Sequence, residues 1–111
     1  DFLKQLKSSM QTNCVRHTAL VKDDIKTVAV CGGSGSFLLN NAIAAKADVF
    51  ITADFKYHEF FDAENHIIIA DIGHYESEQF TKDLIYDLLT DNFTKFAVRL
   101  SKVNTNPIKY L

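Results

Sequence analysis

Apolar positions along the chain follow two rhythms. Phe2, Leu3, Leu6 and Met10 keep the spacing of one helix face and predict a short amphipathic helix over residues 2–10. Residues 13–18 alternate only weakly and read as a short strand or a loop, and Asp23-Asp24 reads as a turn. Lys26–Cys31 (KTVAVC) then predicts a strand that runs into a glycine cluster. From there strand and helix patterns alternate. An alanine-rich helix is expected over Ser36–Lys46, a strand at Asp48–Thr52 (DVFIT), and a helix over Phe55–Glu64 carrying Phe60, Phe61 and Ala63 on one track. His66–Ala70 (HIIIA) is a third apolar strand. Glu76–Leu89 has the strongest helical period, with Phe80, Leu84, Ile85 and Leu88 in one stripe and Lys82 and Asp83 outside it. Lys95–Leu100 predicts a last strand, and Asn104-Thr105-Asn106-Pro107 a closing turn.

Apolar strands without polar alternation, separated by helical segments, belong to a parallel sheet covered on both faces. The expected fold is therefore a three-layer α/β/α unit with a mostly parallel sheet, one α/β domain over residues 1–111.

Composition narrows the classes of function. Leu, Ile, Val and Phe make up close to a third of the chain, enough for a packed core and far from the profile of a disordered segment. Twelve basic residues against 14 acidic ones leave a net charge of -2, which lacks the basic footprint of a nucleic-acid binder. No apolar run approaches the ~20 residues of a membrane span. Two cysteines, Cys14 and Cys31, match no metal-ligand spacing and suit a reducing compartment, so a cytoplasmic location is expected. The chain starts at Asp1, which is expected of a piece of a longer protein.

In open parallel sheets ligands gather beyond the carboxyl ends of the strands. Three such ends carry unusual residues. The first is Gly32-Gly33-Ser34-Gly35-Ser36, which reads either as an anion-binding loop before a helix or as a tight turn with a serine cap. It has neither the lysine of a P-loop nor the glycine spacing of a dinucleotide site. The second end holds Asp54 and His58, four apart at the start of a predicted helix, where Asp54 also reads as an N-cap and His58 as a packing residue. The third holds His74 and Glu78, again four apart. An imidazole and a carboxylate on one helical face make half of a metal site, while the plainer reading has Glu78 complementing the helix dipole. Asp71, at the strand tip, is a candidate to orient His74. His17 and His66 read as structural.

Val28–Ser36 (VAVCGGSGS), Asp48–His58 (DVFITADFKYH) and Asp71–Glu78 (DIGHYESE), closed by Asn104–Pro107 (NTNP), resemble the carboxyl-terminal part of the Nif-three-like family (NGG-one-interacting-factor-three). Its members are also described as GTP cyclohydrolase I type 2 homologues. The likeness runs from about residue 25 to the end. It implies a Nif-three-like half-domain from a protein that binds two divalent metal ions per subunit, with zinc, manganese, iron and magnesium not distinguished. It also implies a toroidal homohexamer. The family's Gly-His-x-x-x-Glu stretch places two metal ligands on His74 and Glu78. Its other ligands, a His-His pair and an aspartate, belong to an amino-terminal half that this chain lacks. Asp54 and His58 match the family's Thr-Gly-Asp-x-x-x-His run, with Ala53 in place of the usual glycine, and carry over as cavity-lining residues.

The resemblance implies a metal-dependent hydrolase acting on a nucleotide or other phosphorylated compound, inactive as this segment alone. The alternative is a metal- or ligand-sensing module that regulates through protein contacts. A third reading is an assembly domain supplying subunit contacts. His58 is the one candidate for a general base separate from the metal ligands.

Overall fold

A computed structural model describes residues 1–111. The centre of the molecule is a pair of strands buried along their whole length, β3 (Val49–Ala53) and β4 (Ile68–Asp71). They run parallel, with Val49 opposite Ile68 and Thr52 opposite Asp71. β2 (Val28–Ser34) lies parallel to β3 on its other side, and β1 (Arg16–His17) closes the far edge antiparallel to β4. The sheet order is β1-β4-β3-β2. A strand buried on both faces needs apolar side chains at consecutive positions, which is why the run Ile67–Ala70 (IIIA) entering β4 shows no alternation.

Successive side chains feed two cores. Phe50, Phe55, Ile67 and Ile69 pack with Leu39 and Ala42 of α2 (Leu39–Ala44) on one face. Val49, Ile51, Ile68 and Ala70 pack with Leu6 of α1 (Phe2–Ser9) on the other. Three layers result, as the hydrophobic rhythm predicts. No helix is long and apolar enough to cross a membrane.

Several elements differ from the sequence expectation. β2 runs on through the glycines to Ser34, with its register broken between Val30 and Ser34. The helix expected at Ser36–Lys46 is a 3-10 turn, Ser36–Leu38, followed by the short α2. The helix expected at Phe55–Glu64 is a 3-10 helix, Tyr57–Ala63, entered through an extended Lys56 and ended by Glu64 and Asn65, both left-handed. The expected Glu76–Leu89 helix starts two residues earlier and breaks into α3 (His74–Glu78) and α4 (Thr81–Asn92). At the break the Gln79 side-chain amide donates to the Met10 carbonyl at 2.8 Å and to that of Glu76 at 3.4 Å, tying the joint to the end of α1.

Beyond the break, α4 buries none of its residues, and Leu84, Ile85 and Leu88 are each at least half exposed. The apolar stripe therefore does not cover the sheet. No strand forms at Lys95–Leu100, because no strand offers a backbone ladder to it; the segment turns at Phe93–Phe96 and continues without regular structure. A radius of gyration of 16.2 Å exceeds the ~13 Å of a compact chain of this length, as an extended arm requires.

Candidate metal centre at the carboxyl rim of the sheet

The carboxyl ends of β2, β3 and β4 meet at one rim, and the helix that follows β4 supplies the principal residues. Gly73 (φ 94°) takes a left-handed conformation between β4 and α3, and the Glu76 carboxylate occupies the space a Cβ would need there. The turn starts α3 at His74, so His74 and Glu78 stand one helical turn apart, as the spacing predicts. Their side chains do meet: His74 Nε2 is 3.2 Å from Glu78 Oε2. The other ring nitrogen, Nδ1, is 2.5 Å from Asp54 Oδ2. The imidazole thus lies between two carboxylates, and it is half exposed.

Charge follows from that placement. The hydrogen bond that His74 donates to Asp54, with the charges of Asp54 and Glu78, holds the His74 pKa above the usual histidine value against a smaller opposing effect of burial. Asp54 itself has φ 61°, a left-handed conformation that aspartate tolerates better than most residues. It is not an N-cap. The 3-10 helix begins only at Tyr57, so the spacing of four from Asp54 to His58 does not place them on one face. His58 lies exposed on that helix and lines neither of the two hollows around His74.

Asp71 has a different role from the one its position suggested. It is buried, and its Oδ2 accepts from the Arg16 guanidinium and from the Phe55 amide at 3.0 Å, while Oδ1 accepts from the Gly73 amide at 3.0 Å. These bonds clamp β1, the β3 exit and the α3 entry together. The orientation expected of Asp71 is supplied by Asp54 instead.

The glycine segment is a wall beside the pair. The Gly33 amide donates to Ser77 Oγ at 2.7 Å, the Gly33 carbonyl accepts from Thr52 Oγ1 at 3.0 Å, and the Gly35 amide is directed to the Ala53 carbonyl. Gly32–Ser36 therefore does not present an open ring of donors to an anion. Ser34 is exposed, and Ser36 Oγ donates to Glu59. The absence of a side chain at Gly33 (φ 68°) matters more: a Cβ there would lie 2.6 Å from Glu78 Oε1 and 3.1 Å from His74 Nε2.

The donor set fits one cation edge. Two ligands of a tetrahedral zinc ion with bonds of ~2.0–2.2 Å stand roughly 3.3 Å apart, and His74 Nε2 and Glu78 Oε2 are separated by 3.2 Å. A carboxylate on the opposite ring nitrogen is the usual partner of a metal-bound histidine, since it fixes the tautomer and raises basicity. No group of three or more His, Cys, Asp and Glu side chains is arranged to hold a metal ion. The chain offers two donors and their support.

Arg16 and Asp54 are the residues whose roles sequence reasoning missed. The pairing of Arg16 with Asp71 joins residues 55 apart, with no local signal to announce it. Asp54 is 20 residues from His74.

A mostly parallel three-layer sheet with an imidazole–carboxylate pair at its carboxyl rim defines an α/β protein with a candidate metal-binding edge. The chain belongs to the Duf34/NIF3 (NGG1p interacting factor 3) family, whose sequence profile matches residues 1–107. It is 35% identical over 116 residues to the GTP cyclohydrolase 1 type 2 homolog of Staphylococcus aureus (strain MSSA476), a match over 100% of this chain and 31% of that protein. The fold is similar to that of Staphylococcus aureus protein SA1388, with a TM-score of 0.83 and 32% identity over 100% of this chain and 38% of that one. A Bacillus cereus protein related to NIF3 gives a TM-score of 0.80 at 26% identity, over 99% of this chain and 32% of that one. The chain spans about a third of the length of the curated relatives it matches.

Proposed function

We propose that this chain is the part of a metal-dependent hydrolase that contributes His74 and Glu78 to a centre of two divalent ions. The protein acts in the cytoplasm on a nucleotide or another phosphorylated compound, and its remaining ligands come from residues outside the segment. The observation that carries this reading is the 3.2 Å approach of His74 Nε2 to Glu78 Oε2 with Asp54 on the far side of the ring. The name shared by the curated relatives, GTP cyclohydrolase 1 type 2 homolog, supports the reaction class. A bound divalent ion would polarise a phosphoryl or ring carbon–nitrogen group and lower the pKa of water.

The chain's own residues prepare that chemistry. Asp54 accepts a hydrogen bond from Nδ1–H, the tautomer that would leave the Nε2 lone pair free for a cation. Glu78 adds negative charge, and Gly33 keeps the approach open. The exposed stripe Leu84, Ile85 and Leu88 supports a homo-oligomer, a hexamer by family likeness.

A sensing module without turnover is favoured by one observation: His58, the candidate general base, stands outside the hollows around His74. Elemental analysis of the intact protein loaded with zinc or manganese tests the centre. The expected content is about two ions per subunit, reduced in His74→Ala and in Glu78→Gln; unchanged content in both variants overturns the metal assignment. A screen of nucleotides and phosphoesters with loaded protein then separates the two readings, since only the hydrolase gives product that disappears in the same variants.

A further inference from the structure

A groove of about 630 Å³ is lined by β1 and the 3-10 helix Tyr57–Ala63 and includes Arg16 but neither His74 nor Glu78. Its volume is in the range of small-molecule sites, roughly 300–1,000 Å³. Tyr57 and Phe61 stand on the rim of this groove, 80% and 67% exposed, with ring centroids 5.5 Å apart in an edge-to-face pair. Phe60 lies deeper, under the Arg16 guanidinium, whose carbon is 5.3 Å from the ring centre. Glu64 and Asn65, the left-handed residues (φ 43° and 59°) that end the 3-10 helix, also line the groove.

Arg16 connects this groove to the metal pair. It lines the groove and also the hollow of about 190 Å³ that contains Asp54 and His74. Its guanidinium is immobilised by Asp71, by the Phe55 carbonyl at 3.0 Å and by the Phe60 ring. A fixed cation at a junction suits a phosphate-bearing ligand that reaches into both spaces. Exposed aromatic faces suit a flat ring, because every nucleobase has a π-face to stack. The Glu64 carboxylate and Asn65 amide match the N–H and carbonyl edge of such a ring.

We infer that the groove between β1 and the 3-10 helix is a subsite for the base of a nucleotide, stacked on the more exposed Tyr57 ring with the near-perpendicular Phe61 ring against its edge, and with the sugar-phosphate end passing Arg16 toward His74. The inference rests on the nucleotide reading above and deepens it by naming where the base sits. A protein partner is the competing occupant, and the oligomeric state of the Tyr57→Ala variant separates it from a nucleotide.

The test is calorimetric titration of the intact, metal-stripped protein with GMP, AMP and ribose 5-phosphate. At least one nucleotide is expected to bind tenfold or more tightly than ribose 5-phosphate. Tyr57→Ala and Phe61→Ala should each weaken that nucleotide by about fivefold or more and leave ribose 5-phosphate unchanged, while Tyr57→Phe keeps the parent affinity. Both side chains are exposed, so the alanine variants should fold. Equal affinity for all three probes, no binding of any, or unaltered nucleotide affinity in both alanine variants overturns the inference. A change of oligomeric state in Tyr57→Ala with no change in nucleotide affinity also overturns it, assigning the rim to a protein contact. His74→Ala separates this subsite from the metal centre: it should lose metal and retain the preference for the base.

Discussion

Asp54 and Asp71 follow neighbouring parallel strands at the same rim of the sheet, and the protein uses them in opposite ways. Asp71 is 3% exposed, and both its oxygens are engaged by Arg16 and two backbone amides. Asp54 is half exposed, strained to φ 61°, and directed at one ring nitrogen of His74. A buried carboxylate with its lone pairs filled has no capacity left for a ligand, and removing it strands the groups it satisfied. An exposed carboxylate with one short bond to a histidine holds up nothing but the orientation of that ring. The difference teaches that position at a strand tip does not decide between structure and chemistry. Saturation of the hydrogen-bonding groups does.

That contrast is open to attack at both ends. Asp71→Ala should be the larger lesion to the fold, since it leaves the Arg16 guanidinium and the Phe55 and Gly73 amides without their acceptor. A loss of about 2–3 kcal/mol is expected, below the value for a fully buried pair because Arg16 is half exposed. Chemical denaturation of the variant measures it, and a midpoint equal to the parent's would dissolve the distinction. Asp54→Asn should spare the fold and instead weaken metal affinity by about 10–100-fold, the usual cost of losing a carboxylate behind a metal-bound histidine. Metal competition with a chelator reads that change, and parent-like affinity would show that Asp54 only fills space.

The smallest expected effect is in the pH profile. Because the folded-state pKa of His74 is raised, protonation stabilises the metal-free protein. That contribution is fully present below the ordinary histidine value of 6.5 and fades as pH rises through the higher folded-state value. In metal-free protein the thermal midpoint should therefore drift down above pH 6.5, and the drift should vanish in His74→Gln. The same protons compete with a metal at Nε2, so metal affinity should rise over that interval. A parent profile that coincides with that of His74→Gln would detach the raised pKa from stability.

Much of the fold was legible because it is local. The short, β-branched, unalternating runs DVFIT and HIIIA fit doubly buried strands, and the two strands do occupy the middle of the sheet with their side chains divided between two cores. The i, i+4 spacing of His74 and Glu78 is a property of any helix, so their meeting required only that a helix start at His74. The stripe on α4 misled for the same reason. Periodicity reports that residues share a face, not that anything lies against it, and Leu84, Ile85 and Leu88 share an exposed one.

Periodicity and spacing along single segments were enough to dictate the three-layer class, the parallel pair at its centre and the imidazole–carboxylate pair on the helix after β4. Which aspartate serves His74, where Arg16 is anchored, and that the glycine segment closes on Ser77 and Thr52 were set by packing across the sheet. Those choices depend on contacts between residues 19 to 55 positions apart. A hydrogen-bonding group separated from its partner by an entire strand and crossover leaves no periodic trace in the chain; geometry alone selects it.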